Sequence, residues 1–295
     1  MSNQTHGADQ APSLIVLGVA QDGGHPHAGC RKPCCSAAWD NPELGHLCAC
    51  LGLVDPTTNQ RWMLDCTPDF PAQLNALDQV APVKESPGLD GVLLTHGHIG
   101  HYAGLMHLGR EVLGTRQVPV WAMPRMRTLL EQSAPWELLS RLDNVVIRDL
   151  EGGVTVAMNP NLSIRPIPVP HRSEYTETVG FVISGPNRTA LYLPDIDKWQ
   201  RWRSVVDVLS EVDLAFVDGT FFGEGELERP MVEIPHPSIE ESIEFFGALD
   251  SDTRDKIHFI HMNHTNPLLG PHSAAHEAVE AAGMHVAQQG QRYPL

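Results

Sequence analysis

Three histidines fall within six residues in Thr95-His96-Gly97-His98-Ile99-Gly100-His101, directly after the apolar run Gly91-Val92-Leu93-Leu94. A short apolar run followed by glycines reads as a buried strand that delivers the chain to a tight turn. Side chains of an extended segment alternate, so His96 and His98 project to one side. His101 opens the helical stretch that follows. Neutral imidazole is the commonest protein ligand for zinc and similar ions, and such a turn can aim several rings at one point. A surface cluster of ordinary histidines is the alternative, but the buried strand just upstream favours a metal.

Acidic residues outnumber basic ones by 36 to 20, a formal charge of −16, which argues against nucleic acid as the main partner. An apolar fraction of 42% supports a sizeable core, and no uninterrupted apolar stretch is long enough for a membrane span. The polar segment 1–12 lacks a basic region followed by an apolar one, so a flexible N-terminus and a cytoplasmic protein are expected. Five of the six cysteines, Cys30, Cys34, Cys35, Cys48 and Cys50, crowd the first fifty residues. In a reducing compartment that crowding points to metal rather than disulfides.

Strands are expected at 13–20, 47–54, 61–64, 91–94, 118–122, 145–147, 154–157, 162–169, 178–184, 189–193, 214–217, 257–260 and 285–287. Helices are expected at 70–80, 102–113, after Pro124, and at 198–209, 239–248 and 273–282. The alternation predicts an α/β protein of packed sheet and helix layers, with no low-complexity linker dividing residues 13–295.

The histidine cluster resembles the His-x-His-x-Asp-His signature of the metallo-β-lactamase superfamily, with Gly100 in place of the Asp. The resemblance implies an αββα sandwich of two mixed sheets with outer helices and metals at one sheet edge, formed here by a single domain over 13–295. It also implies further ligands at strand ends. His171, Asp195 and His261 stand in the expected order, each after an apolar run. Taken singly, Asp195 could cap the following helix and His171 could sit in a loop. As a set they imply a first metal on His96, His98 and His171, with Asp195 bridging to a second on His101 and His261. Because glycine coordinates nothing, the second metal is expected to bind more weakly, and Gly100→Asp to strengthen it. A replacement ligand would come from the Gly-rich loop, as Asp22 or His25. Asp65 occupies the place of a superfamily Asp that orients a ligand.

The run Gly29-Cys30-Arg31-Lys32-Pro33-Cys34-Cys35 has the compactness of a zinc knuckle. Closed zinc sites want four ligands, and His264, three residues after His261, is a candidate fourth beside Cys30 and Cys34 or Cys35. His46 is a further candidate, whereas Cys48 and Cys50 read as packing residues on a strand. The arrangement is similar to phosphonate-pathway cyclic phosphodiesterases and, more extensively, to the pyrroloquinoline quinone (PQQ) biosynthesis protein B family. The second likeness rests on the Cys-rich loop, Thr67-Pro68-Asp69-Phe70-Pro71, Val217-Asp218-Gly219-Thr220-Phe221-Phe222, His236-Pro237-Ser238-Ile239 and Thr265-Asn266-Pro267. By analogy with the phosphodiesterases, His236 would protonate a leaving group and Asp218 would orient it. His25 and His27 would border the pocket.

These readings converge on a metal-dependent hydrolase that uses metal-activated water on an ester, amide or phosphodiester. The expected cofactors are a structural Zn2+ and one or two active-site ions, Zn2+ or else Fe or Mn. A small molecule or small peptide is the expected partner, with a homodimer left open and neither nucleic acid nor membrane involved. The alternatives are a non-haem metal oxygenase in PQQ biosynthesis and a non-catalytic metal-dependent binding protein.

Overall fold

A computed structural model describes residues 11–84 and 87–295. Two seven-stranded mixed sheets face each other. The first has the order β14-β1-β2-β3-β4-β5-β6, with β1 at Ser13–Gly18, β2 at Cys50–Asp55, β3 at Gln60–Leu64, β4 at Gly91–Leu93, β5 at Val118–Ala122, β6 at Val145–Asp149 and β14 at Arg292–Pro294. The second has the order β13-β12-β11-β10-β9-β8-β7, with β7 at Val156–Ala157, β8 at Ser163–Pro168, β9 at Val179–Ser184, β10 at Thr189–Leu193, β11 at Leu214–Asp218, β12 at Ile257–Ile260 and β13 at His285–Val286.

The sandwich follows from strands that are apolar on both faces. In β1, Leu14 and Val16 join the core between the sheets, while Ile15 and Leu17 join an outer layer with Phe70, Leu74 and Leu77 of α2 (Phe70–Val80). Trp199, Trp202 and Phe246 cover the second sheet from outside. The αββα layering is therefore as the superfamily resemblance implies.

Strands β3 to β6 run parallel, as do β10 to β13, so their C-terminal ends gather at one edge of each sheet. Ala20, just past β1, forms parallel bridges to Cys48 and to Met262, joining the two sheets at that edge.

Some elements differ from expectation. The helix expected at 102–113 is one α turn, Ile99–Tyr102, followed by 3-10 structure over Ala103–Leu108. The Gly104 N–H is diverted to the Cys66 carbonyl at 2.8 Å. A Cβ on Gly104 would lie 2.1 Å from the Thr67 carbonyl oxygen, so only glycine allows this approach. The helix expected at 198–209 splits into a 3-10 turn, Trp199–Arg201, and an α-helix, Val205–Ser210, with extended Trp202 buried between them. The helices Pro33–Asp40 and Ser251–Asp255 were not anticipated, nor was β14, which pairs antiparallel with β1. Most of the segment expected to be flexible, residues 1–10, lies outside the described residues; Pro12 is buried, and its carbonyl accepts from Leu295 N at 2.8 Å. Among the described residues no helix is long and apolar enough to cross a membrane.

Candidate metal centre

The gathered strand ends bring together all the histidines and acids expected at the centre. Asp65 follows β3, His96, His98 and His101 follow β4, His171 follows β8, and Asp195 follows β10. Asp218 ends β11 and His261 follows β12. Asp65 and His261 both adopt φ of +67°, a left-handed conformation unusual for residues with a side chain. Such outliers persist where the surroundings over-determine them, and they cluster at functional sites.

His96, His98 and His171 each offer a ring nitrogen, all within 4.8 Å of one another. His101, His261, Asp195 and Asp22 form a second group on the same criterion. In it, His101 Nε2 lies 2.9 Å from Asp195 Oδ2 and 3.3 Å from Asp22 Oδ1, and His261 Nε2 lies 3.3 Å and 3.2 Å from the same two atoms. A tetrahedral ion with bonds of about 2.0–2.1 Å spaces its ligands about 3.3 Å apart. Asp195 Oδ2 is also 3.5 Å from His96 Nε2, so one carboxylate faces both groups.

Asp22 alters the expectation for the second position. An ideal Cβ on Gly100 would lie 2.4 Å from Asp22 Cγ and Oδ1. The space in which any side chain at position 100 would begin is filled by another carboxylate. Gly100→Asp would bring two acidic side chains into one volume, so its effect on the second position depends on whether Asp22 moves aside.

Each sheet contributes one fully buried Asp that orients the ligands. His101 Nδ1 donates to Asp65 Oδ2 at 2.8 Å. Thr95 Oγ1 donates to Asp65 Oδ1 at 2.9 Å and accepts from His96 Nδ1 at 3.0 Å. On the other sheet, Thr220 Oγ1 donates to Asp218 Oδ1 at 2.7 Å and accepts from His261 Nδ1 at 3.0 Å. His236 Nδ1 donates to Asp218 Oδ2 at 2.8 Å. A hydroxyl has one proton, so giving it to the Asp leaves the oxygen to accept from the imidazole. Protons on Nδ1 leave Nε2 of His96, His101 and His261 with lone pairs facing the centre. Sequence reasoning assigned no role to Thr95 or Thr220; the signal available was a hydroxyl residue next to His96 and another two residues after Asp218.

The donor set fits a metal. Both ring nitrogens of His171 are buried without a hydrogen-bond partner among the described residues. Each such orphan costs about 1–3 kcal/mol unless some other group satisfies it. Burial, then the neighbouring His101, lowers the pKa of His96 well below the ordinary value, against the opposing pull of Asp195. Burial also lowers that of His98 and brings His171 to about 4, keeping all three in the neutral form that ligates. Burial would raise the carboxyls of Asp195 and Asp22, but the surrounding histidines outweigh it and hold both well below the usual range.

His236 is 5% exposed and borders the centre, with Nδ1 3.5 Å from Asp195 Oδ1. Burial lowers its pKa, but Asp218 more than compensates and raises it above the ordinary value. At the rim, exposed Arg172 reaches within 3.5 Å of His98 Nδ1, and His98 Nε2 lies 3.3 Å from Glu174.

The cysteine knuckle forms a separate group with Cys30, Cys34, Cys35 and His264. The Cys30–Cys34 sulfurs are 3.8 Å apart, and His264 Nδ1 is 3.7 Å from Cys34 Sγ and 3.5 Å from Cys35 Sγ. Zinc–sulfur bonds of about 2.3 Å set a tetrahedral edge near 3.8 Å. Both Cys34 and Cys35 join this group, where the sequence had left a choice. His46 stays outside it and bonds the Leu269 carbonyl through Nε2 at 3.0 Å. Cys48 and Cys50 are buried packing residues. His25 and His27 lie against the knuckle: His25 Nε2 bonds the Cys34 carbonyl at 2.7 Å, and the His27 ring lies 4.5 Å from that of His264.

Among known proteins, the chain is 28% identical to coenzyme PQQ synthesis protein B of Xanthomonas campestris pv. campestris (strain B100), over 94% of this chain and 98% of that one. The corresponding Methylobacterium nodulans protein is also 28% identical, over 94% and 97%. The crystal structure of Zn(2+)-bound PqqB from Methylobacterium extorquens shares the fold, with a TM-score of 0.82, 24% identity, and 96% of this chain and 100% of that chain covered. A diphosphatase from the PhnP family shares it with a TM-score of 0.67, 23% identity, and 96% and 97% covered. The beta-lactamase superfamily domain matches residues 60–287, most of the chain, and the protein thus belongs to that superfamily, within which it resembles PQQ synthesis protein B.

Proposed function

We propose that this protein is a metal-dependent hydrolase of a small anionic substrate, with a phosphodiester favoured over an ester or amide. The observation that carries this reading is the pair of ligand groups facing one carboxylate, Asp195, beside a histidine–aspartate pair that is not needed for either group. His96, His98 and His171 would hold one ion, and His101, His261 and Asp195 a second. A divalent ion there supplies Lewis acidity, which polarises the scissile group and makes water acidic enough to attack near neutral pH.

The protein's own groups divide the remaining work. Asp65 and Asp218 fix the imidazole tautomers, directly and through Thr95 and Thr220. Arg172 at the rim attracts an anionic group in a chain that is otherwise strongly acidic. His236 donates its Nδ1 proton to Asp218, so the proton given to the leaving oxygen departs from Nε2. Its raised pKa keeps that proton available at neutral pH. The knuckle of Cys30, Cys34, Cys35 and His264 would hold a structural zinc.

Protein loaded with Zn2+ or Mn2+ should turn over a nitrophenyl phosphodiester faster than the matching ester or anilide. Chelation and His98→Ala should both abolish that turnover. Full metal occupancy with no hydrolysis of any of the three would overturn the reading. The likeness to a PQQ synthesis protein supports a second reading, oxidation of a tyrosine-containing peptide. Peptide-dependent oxygen uptake by Fe2+-loaded protein would favour it.

A further inference from the structure

The superfamily signature places a carboxylate two residues after the second histidine, and this chain has Gly100 there. We propose that Asp22 is the carboxylate ligand of the second metal position, supplied by the loop after β1 instead of the histidine loop. This rests on the metal-dependent reading of the centre. Asp22 Oδ1 lies 3.3 Å from His101 Nε2 and 3.2 Å from His261 Nε2. The two histidines thus share a single carboxylate oxygen, at the spacing of a tetrahedral edge.

Asp22 and a side chain at position 100 compete for one volume. The three atoms nearest to an ideal Cβ on Gly100 are Cγ, Oδ1 and Cβ of Asp22, at 2.4, 2.4 and 2.5 Å. Glycine at 100 is therefore the condition for Asp22 to enter, and no φ in the left-handed region accounts for it. The loop backbone is tied down beside the ligand it must meet. Gln21 N donates to the Met262 carbonyl at 2.8 Å, Met262 N donates to the Val19 carbonyl at 2.8 Å, and Cys48 Sγ donates to the Asp22 carbonyl at 3.2 Å. Asp22 and His261 are thereby delivered to the centre by one cross-strand junction.

The test is zinc content and affinity, with zinc alone as the probe, for wild type, Asp22→Asn, Gly100→Asp and the exchange variant Asp22→Gly/Gly100→Asp. Wild type should carry two active-site equivalents besides the knuckle zinc. Asp22→Asn preserves shape, and near-ultraviolet circular dichroism checks its fold; affinity for one active-site ion should fall at least about a hundredfold. Gly100→Asp alone should also lose that ion, and the exchange variant should regain it. Unchanged affinity in folded Asp22→Asn would overturn the assignment of Asp22 while leaving the hydrolase reading intact. A folded exchange variant that stays one equivalent short would overturn the exchange of volumes. A wild type that binds only the knuckle zinc would remove the metal-dependent reading and this assignment together.

Discussion

Asp65→Asn separates the shape of the centre from its proton arrangement. Asp65 Oδ1 accepts from Thr95 N and Oγ1, both at 2.9 Å, and Oδ2 accepts from His101 Nδ1 at 2.8 Å. An asparagine keeping its oxygen toward Thr95 turns an amide donor toward His101. The imidazole can answer only by accepting on Nδ1 and moving its proton to Nε2, the nitrogen that faces Asp195 and Asp22. The lone pair that would hold the metal is then occupied. Losing an orienting partner of this kind weakens metal affinity about 10–100-fold, or about 1.4–2.7 kcal/mol. Calorimetric titration of zinc into metal-free protein should show the loss at one active-site ion only, with thermal stability nearly unchanged. Thr95→Val should leave His101 in place and weaken instead the ion held by His96, whose Nδ1 loses its acceptor. Equal zinc affinities in wild type and Asp65→Asn would refute the tautomer argument.

Other expectations are open to direct measurement. His236→Gln should lower kcat about 10²–10⁴-fold, most for substrates with poor leaving groups, with zinc content unchanged; a leaving-group-independent loss would argue against a proton donor. Cys35→Ser should remove one zinc equivalent and lower Tm in parallel, because a structural metal contributes folding free energy. Asp55 gives an acid-sensitive contribution. Burial would raise its carboxyl, but donors from Thr57, Asn161 and Asn159 bring it to about 2. Its stabilisation is complete above the unfolded value of about 3.9 and is lost as pH falls through about 2, a change of about 2–3 kcal/mol. Asp55→Asn should accordingly flatten the decline of Tm between those pH values, and an unchanged slope would exclude this source. Gly104→Ala places a Cβ 2.1 Å from a backbone oxygen and should destabilise the fold by about 1–3 kcal/mol in urea unfolding.

Strands such as 189–193 and 257–260 were legible because continuous apolar runs bounded by turns are what a strand buried on both faces requires. The segment Arg292–Pro294 carries no such pattern, and its strand exists because Ser13 to Ile15 pair with it. The histidine loop was legible as a set of converging side chains but not as a helix length, since the backbone contact with Cys66 and Thr67 comes from a distant turn. The same limit applies to the centre. His171, Asp195 and His261 stood at recognisable strand ends, whereas a lone Asp in a Gly-rich loop gave only the hint that something must answer for Gly100. Thr95 and Thr220 act through hydroxyl protons, which no spacing rule records.

His261 and His264 leave the same strand three residues apart, and the segment bearing Asp22 runs on into the cysteines. Each of the two sites thus takes ligands from the same two stretches of chain. A zinc in the knuckle would fasten the loop after β1 to the exit of β12 and so fix the separation between Asp22 and His261 across which the proposed second ion would be gripped. If both are filled, assembly would follow an order, with the thiolate site closing first and the deeper position becoming competent afterwards. A thiol-selective reagent that strips the knuckle should release a second zinc without touching any of its ligands, and stopped-flow detection of two coupled departures would reveal that dependence.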